Sequence, residues 1–241
     1  RKIRIDSTTI EANIIYPTDI GLIHQTVSSL SRTVQKLGEK ITNHSRATKK
    51  ALAQLGSSLK SKGKQKKKQA QKTLREVTKL AQDTVEECRR VLPKIEKRHN
   101  KKTLENFREQ IELGEKILEQ TQQQIDGVES VPERIVSFYD PQARVIRKGK
   151  LSKPNEFGRT VQLIQDESGV ILHYEVHQGN PNDKTQVVPL VKELKKEFHH
   201  APEAVTTDKG YYSEDAIKKL TRLGVRKIAI PKIGRLNPAE K

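Results

Sequence analysis

The sequence predicts an α/β protein: a mixed sheet interrupted after its first strand by a long α-helical, coiled-coil insertion. Three observations predict it. Residues 1–19 open with a two-residue alternation, residues 20–130 carry apolar positions at helical spacing, and residues 131–241 return to strands alternating with helices.

In the opening segment Ile3 and Ile5 fall on one face and Arg4, Asp6 and Thr8 on the other, the period of a strand with one buried side. Pro17 and Asp19 break that regularity. In the middle zone Ile23, Val27, Leu30, Val34, Leu37 and Ile41 follow a 4-3-4-3-4 spacing, the seam of a coiled coil, and Ala51, Leu55 and Leu59 continue it weakly. A second seam runs from Leu74 through Val77, Ala81, Thr84, Cys88 and Val91 to Ile95. A third runs from Leu104 through Phe107, Ile111, Gly114, Leu118 and Thr121 to Ile125. Breaks near 61–64 and 98–100 divide the zone into two or three long helices folded back on one another, and the small and polar seam residues predict thin packing.

In the third zone, 160–165 and 170–177 read as a hairpin turned at 167–169. A helix over 184–198 carries Val187, Val191, Leu194 and Phe198 on one stripe, with Asp183 placed to cap it. A short strand over 204–207 ends at Asp208. Ser213 caps a second helix, with Ile217, Leu220 and Leu223 inward and Gly224 stopping it. A last strand over 225–230 closes at Pro231.

Composition narrows the function. Hydrophobic residues make up 33% of the 241, against a usual ~45–50%, so a small core carries something elongated. The formal net charge of +17 points to a polyanionic partner, most simply nucleic acid. The single cysteine, Cys88, excludes a disulfide framework and a thiolate zinc site, and fits a reducing, cytoplasmic compartment; on a helical seam it reads as a small core residue. No apolar run approaches the ~18–20 residues needed to cross a membrane, and no signal peptide opens the chain. With no methionine even at position 1, the chain reads as a piece of a longer one.

Charge is uneven. From Lys40 to Arg75 there are 12 basic residues and no acidic one. Lys60–Lys72 alone holds seven lysines, Lys64, Lys66, Lys67 and Lys68 among them. Such a run is commonly a solvated helix face; the absence of every acid points instead to an arm that contacts phosphates without reading sequence. Lacking aromatics to stack unpaired bases, the arm suits duplex DNA. The histidines carry less: His173 and His177 stand about 13 Å apart along a strand, too far to share a metal, and His199 and His200 fall at a helix end.

Without the middle zone the order is strand, hairpin, helix, strand, helix, strand, which is close to the ribonuclease-H-like order. There the ends of the first strand and of the post-helix strand lie side by side, and Asp6 and Asp208 sit at those ends. A lone aspartate at a strand end is usually a turn or cap residue. Two that converge suit Mg²⁺ or Mn²⁺, which takes one or two carboxylates plus substrate phosphate. Two such ions, roughly 3.5–4 Å apart, clamp the attacking and leaving oxygens of an in-line displacement.

At these residues a family resemblance enters. The run from Asp6 to Asp19 resembles the first-acid segment of bacterial insertion-sequence transposases with a DDE catalytic core. Asp140–Lys150 followed by Glu156-Phe157-Gly158 is similar to the stretch leading into the hairpin, Gly179–Asp183 to the loop before the helix, and Asp208–Ser213 to the second-acid motif. The likeness covers roughly residues 1–20 and 132–235, with the middle zone as the insertion such transposases carry between the first two acids.

The resemblance implies that Asp6 and Asp208 are catalytic metal ligands for Mg²⁺ or Mn²⁺. The reaction it implies is cleavage of a DNA strand by water, then attack of the freed 3′-hydroxyl on target DNA. The partner would be double-stranded DNA, transposon ends and target, with no membrane. Synapsis of two ends requires at least a homodimer, in a prokaryotic, nucleoid-associated setting. Lys150, Lys153, Arg159 and Lys209 become candidates for holding DNA near the metals, Thr8 for ordering Asp6, and Glu156 for a structural ion pair. The sequence departs from the family in one respect: the segment that would carry the third acid is not found, and Glu240 lies too close to the last strand to supply it. The chain therefore reads as a core fragment. Two alternatives stay open: a non-catalytic DNA-binding relic, and a nuclease on the same fold.

Overall fold

The computed structural model describes residues 1–15, 18–58, 64–128, 131–147, 155–177, 179 and 181–232, with the backbone alone at 18, 56–58, 64–67 and 147. In chain order the elements are β1 (Lys2–Glu11), α1 (Thr18–Lys36), α2 (Ser45–Ser58), α3 (Lys64–Glu96), α4 (Lys101–Ile125), β2 (Arg144–Arg147), β3 (Asn155–Asp166), β4 (Ile171–Val176), α5 (Asp183–Phe198), β5 (Ala204–Thr207), a 3-10 turn (Lys209–Tyr211), α6 (Glu214–Leu223) and β6 (Lys227–Ala229). They divide into two units, one of Ala12–Arg144 and one of residues 1–11 with the chain from Val145 onward.

The unit of residues 12–144 is helical. The seam residues of α1, α3 and α4 meet in one core: Ile23, Val27, Leu30 and Val34 pack with Val77, Ala81, Cys88 and Ile95 and with Phe107 and Ile111. Burying each large aliphatic side chain there contributes about 1.5–3 kcal/mol. Among the described residues of this unit the helices number four, against an expected two or three. Gly38, at φ +78°, ends α1 just after Lys36, so Leu37 and Ile41 continue the apolar seam as turn and extended chain rather than as helix. Asn100 then caps α4, its side-chain oxygen accepting from the Thr103 N–H. Leu59 lies outside the described residues.

The polar seam positions have a local explanation. The hydroxyls of Thr26, Thr78, Thr84 and Thr121 each donate to the carbonyl four residues back, on Leu22, Leu74, Leu80 and Ile117, at 2.7–2.9 Å. All four are buried, and each has its oxygen satisfied within its own helix, so the core tolerates threonine, at the seam positions Thr84 and Thr121 included, where the pattern alone reads weakness.

The second unit is a mixed six-stranded sheet in the order β2-β3-β1-β5-β6, with β4 also paired to β3. β1 runs antiparallel to β3, Ile3 opposite Asp166 through Glu11 opposite Gly158, and parallel to β5, Lys2 beside Ala204 through Ile5 beside Thr207. β5 and β6 are parallel. Ile3, Ile5, Ile164 and Val205 are buried with Val187, Leu190, Val191 and Leu194 of α5 and Ala216 and Leu220 of α6. The alternation read at the N-terminus is thus real over Arg1–Asp6, with Ile3 and Ile5 buried, and it fades beyond them, where Ser7 and Thr9 are half-buried.

Three boundaries differ from expectation. Asp183 is the first residue of α5, not its cap; the cap is Asn182, whose side-chain oxygen accepts from the Lys184 N–H. The hairpin is longer on its first arm, β3 starting at Asn155. The last strand narrows from 225–230 to Lys227–Ala229, although Val225 and Ile230 stay buried. The caps of α6 agree: the Ser213 hydroxyl oxygen accepts from the Ala216 N–H, and Gly224 stops the helix at φ +99°.

Candidate functional site

The parallel register of β1 and β5 positions the site. Ile5 is the last residue of β1 paired to β5, beside Thr207, so Asp6 and Asp208 follow next on neighbouring strands. Asp208 lies just past the end of β5, but Asp6 is midway along β1 rather than at its end as expected, because pairing with β3 carries β1 on to Glu11. Both side chains leave the buried face: Asp6 is half-buried and Asp208 exposed. One oxygen of each carboxylate is fixed by a backbone N–H, Asp6 Oδ1 by Ser7 at 2.9 Å and Asp208 Oδ1 by Gly210 at 2.8 Å. The other Asp6 oxygen accepts from the Arg4 guanidinium at 3.1 Å, which stands two residues back on the same strand face.

Around these aspartates stand residues that sequence reasoning left out of the site. Ser7 is opposite Gln162 in the β1–β3 ladder. Gln162 donates from Nε2 to Asp183 Oδ1 at 3.3 Å, which ties the first residue of α5 to the sheet. A Cβ built on Gly210 would lie 3.0 Å from Asp208 Oδ1 and 3.5 Å from Asp183 Oδ2, so both carboxylates border the same glycine. Tyr211, fully buried, follows that glycine. Burial raises its phenol pKa above the ordinary value, and the Asp183, Asp6 and Asp208 charges push it the same way. The signal for this group was the Gly179–Asp183 motif itself; reading Asp183 as a helix cap absorbed it.

The remaining candidates are scattered. Arg159 is half-buried on β3, opposite Ile10, and Lys209 is exposed directly after Asp208. Thr8 is exposed two residues beyond Asp6. Lys150 and Lys153 lie outside the described residues. Glu156 is half-buried on β3. His173 faces Glu197 at 3.5 Å and His177 faces Glu175 at 3.8 Å, and His199 and His200 are exposed. Among the described residues no three His, Cys, Asp or Glu side chains are grouped so as to hold a metal ion.

In the helical unit, Lys68, Lys72, Arg75 and Lys79 form one exposed row on α3, opposite the face that carries Thr73, Val77 and Ala81 into the core. The row spans roughly 16 Å at the helical rise. Arg46, Lys49 and Lys50 are exposed on α2, which packs on α3. Among the described residues none of these seven cations has an ion-pair partner. Lys64, Lys66 and Lys67 start α3, with side chains outside the described residues.

The site thus consists of two aspartates carried by neighbouring strands of a mixed sheet, in a chain of net charge +17. Residues 134–239 match the family model described as the transposase DDE domain, a likeness that supports an insertion-sequence DDE transposase. No curated protein and no solved structure matches the chain. No described helix is long and apolar enough to cross a membrane.

Proposed function

We propose that the chain carries the catalytic core of a DDE transposase of ribonuclease-H-like fold, with residues 12–144 as a helical insertion that grips duplex DNA. The observation that carries this reading is the β1–β5 register, in which Asp6 and Asp208 come next after the Ile5–Thr207 pair, in a unit whose residues 145–239 fall within the match to the transposase domain. The strand order β4-β3-β1-β5-β6, antiparallel on one side of β1 and parallel on the other, supports the fold reading.

The donor set suits the divalent metal that DDE transposases generally use: two hard carboxylates, each preoriented by a backbone N–H. Asp6 and Asp208 would hold Mg²⁺ or Mn²⁺, two ions in the complete site, and the bound metal would supply positive charge to the scissile phosphate. The chain's own residues do the rest by position and charge, with no covalent protein intermediate. Ser7 and Gly210 N–H groups aim the aspartates, Lys209 and Arg159 face the DNA strand, and the α2–α3 cations neutralise duplex phosphates at a distance from the cut. Water cleaves one strand, and the freed 3′-hydroxyl attacks target DNA. Two ends brought together require a homodimer on DNA.

Calorimetric titration of the protein with Mn²⁺ tests this reading. Binding that Asp6→Asn and Asp208→Asn each weaken supports it; absence of binding in the wild-type protein rejects it. The unpaired cations of α2 and α3 favour a second reading, a DNA-gripping protein that does not cut, because they need no metal. That reading expects DNA affinity unchanged by either aspartate substitution and by chelator.

A further inference from the structure

Tyr211 is packed in the core of the sheet unit, on the turn that follows Asp208. The residue is fully buried, and among the described residues its hydroxyl has no hydrogen-bond partner. Ser7 stands beside it, outside hydrogen-bond geometry, and the Asp183, Asp6 and Asp208 carboxylates are all close enough to act on it. Gln162 is also fully buried. Its Nε2 donates to Asp183, while its Oε1 is likewise without a partner. Gln162, on β3, therefore borders the Asp183 carboxylate, and Tyr211, on the turn after β5, lies within reach of its charge, each with unused hydrogen-bonding capacity among the described residues. Native proteins rarely leave such groups idle unless a second state of the site uses them.

The geometry says which state. Asp208 and Tyr211 belong to one short turn, pivoted on Gly210, whose N–H already holds Asp208 Oδ1. Asp183 Oδ2 lies 3.5 Å from where a Gly210 Cβ would be, against the same pivot. A small adjustment of this turn moves the Asp208 carboxylate and the Tyr211 hydroxyl together. Resting on the two-aspartate reading above, we infer that Tyr211 is a positioning residue. Its hydroxyl donates to the Asp183 carboxylate when the site holds a divalent cation, and so fixes the turn that presents Asp208. Asp183, anchored to β3 through Gln162 at 3.3 Å, is the fixed post of that hydrogen bond. This assigns a role to the Gly179–Asp183 loop that helix capping does not, since Asn182 performs the capping.

The test combines Mn²⁺ calorimetry with thermal unfolding of the whole protein. Tyr211→Phe deletes only the idle hydroxyl, so the metal-free melting temperature stays level or rises. Mn²⁺ affinity falls about tenfold or more, the usual penalty for losing a group that orients a ligand. Asp183→Asn, which keeps shape and the Gln162 contact but weakens the acceptor, should produce a loss of the same size. If Tyr211→Phe binds Mn²⁺ as tightly as wild type, the positioning role is wrong. A metal-free melting temperature that drops with it shows a merely structural hydroxyl and overturns the role equally. If wild type binds no Mn²⁺, the two-aspartate reading itself has failed and this role falls with it. Wild-type binding lost in Asp6→Asn but intact in Tyr211→Phe sinks the positioning role alone.

Discussion

Asp6 and Asp208 stand one step beyond the Ile5–Thr207 pair, Asp6 midway along β1 and Asp208 just past the end of the parallel β5, separated by about two hundred residues of chain. The sheet, not local sequence, makes them neighbours. Their contacts are light: Asp6 meets Arg4 in an ion pair whose side chains are 60% and 45% exposed. Such pairs contribute at most about 1 kcal/mol.

Asp6→Asn and Asp208→Asn should therefore unfold within a few degrees of wild type without metal. Saturating Mn²⁺ should raise the wild-type melting temperature, since a ligand at a hundred times its Kd adds about 2.7 kcal/mol to the folded state. Neither variant should show that rise. Melting curves with and without Mn²⁺ measure both effects, and a full rise in either variant contradicts the assigned site.

The exposed row on α3 gives a prediction about salt. Each phosphate contact adds about 0.9 to the slope of log affinity against log salt. Replacing Lys68, Lys72 and Arg75 with glutamine should weaken duplex binding and reduce that slope by roughly 3 if all three touch phosphate. Affinity should fall equally for unrelated duplex sequences, because phosphate contacts carry no base information. Fluorescence anisotropy across a salt series reads the slope; an unchanged slope places the DNA elsewhere.

The physical reach of each signal explains how much could be read in advance. The helical seams were legible because a 3-4 spacing is a local property: Val77, Ala81, Cys88 and Ile95 are buried as the spacing requires. Ser213 and Gly224 were legible because caps act within four residues. Gly38 is not legible as a stop because Leu37 and Ile41 keep the apolar spacing beyond the end of α1. The Asp6–Asp208 proximity emerged from element order, but Ser7, Gln162, Asp183 and Tyr211 did not. Their relation depends on which β1 residue faces which β3 residue, a register that no short window contains. Asp183 was misread for a related reason, since Asn182 and Asp183 are both competent caps and tertiary contact with Gln162 decides between them.

Gly158 makes the β1–β3 register testable. A Cβ there would collide with the Ile10 carbonyl oxygen, a backbone atom that cannot move aside without parting the strands. Gly158→Ala should cost about 2–4 kcal/mol, at the severe end for a single methyl. The same sheet carries Asp6, so Mn²⁺ affinity should fall with it. Circular dichroism melts and calorimetry check the pair of effects; a stable variant with normal affinity contradicts the close approach.

Cys88 supplies a pH dependence whose sign follows from burial. Its side chain is fully buried on α3, and burial, with the Glu87 charge beside it, pushes the thiol from an ordinary 9.0 up to about 12. The folded state therefore holds this proton where the unfolded chain releases it. The stability associated with the protonated thiol is complete below pH 9 and is lost as pH rises toward 12. Across that window one extra proton in the folded state lowers stability by about 1.4 kcal/mol per pH unit. Cys88→Ala removes this contribution and leaves every other titrating group in place, so wild type should lose stability more steeply than the variant between pH 9 and 11. Denaturant unfolding at several pH values measures the difference in slope. The folded thiol should also resist a thiol-specific reagent at pH 8, reacting no faster than its helix opens; parallel slopes and prompt labelling would together place Cys88 at the surface.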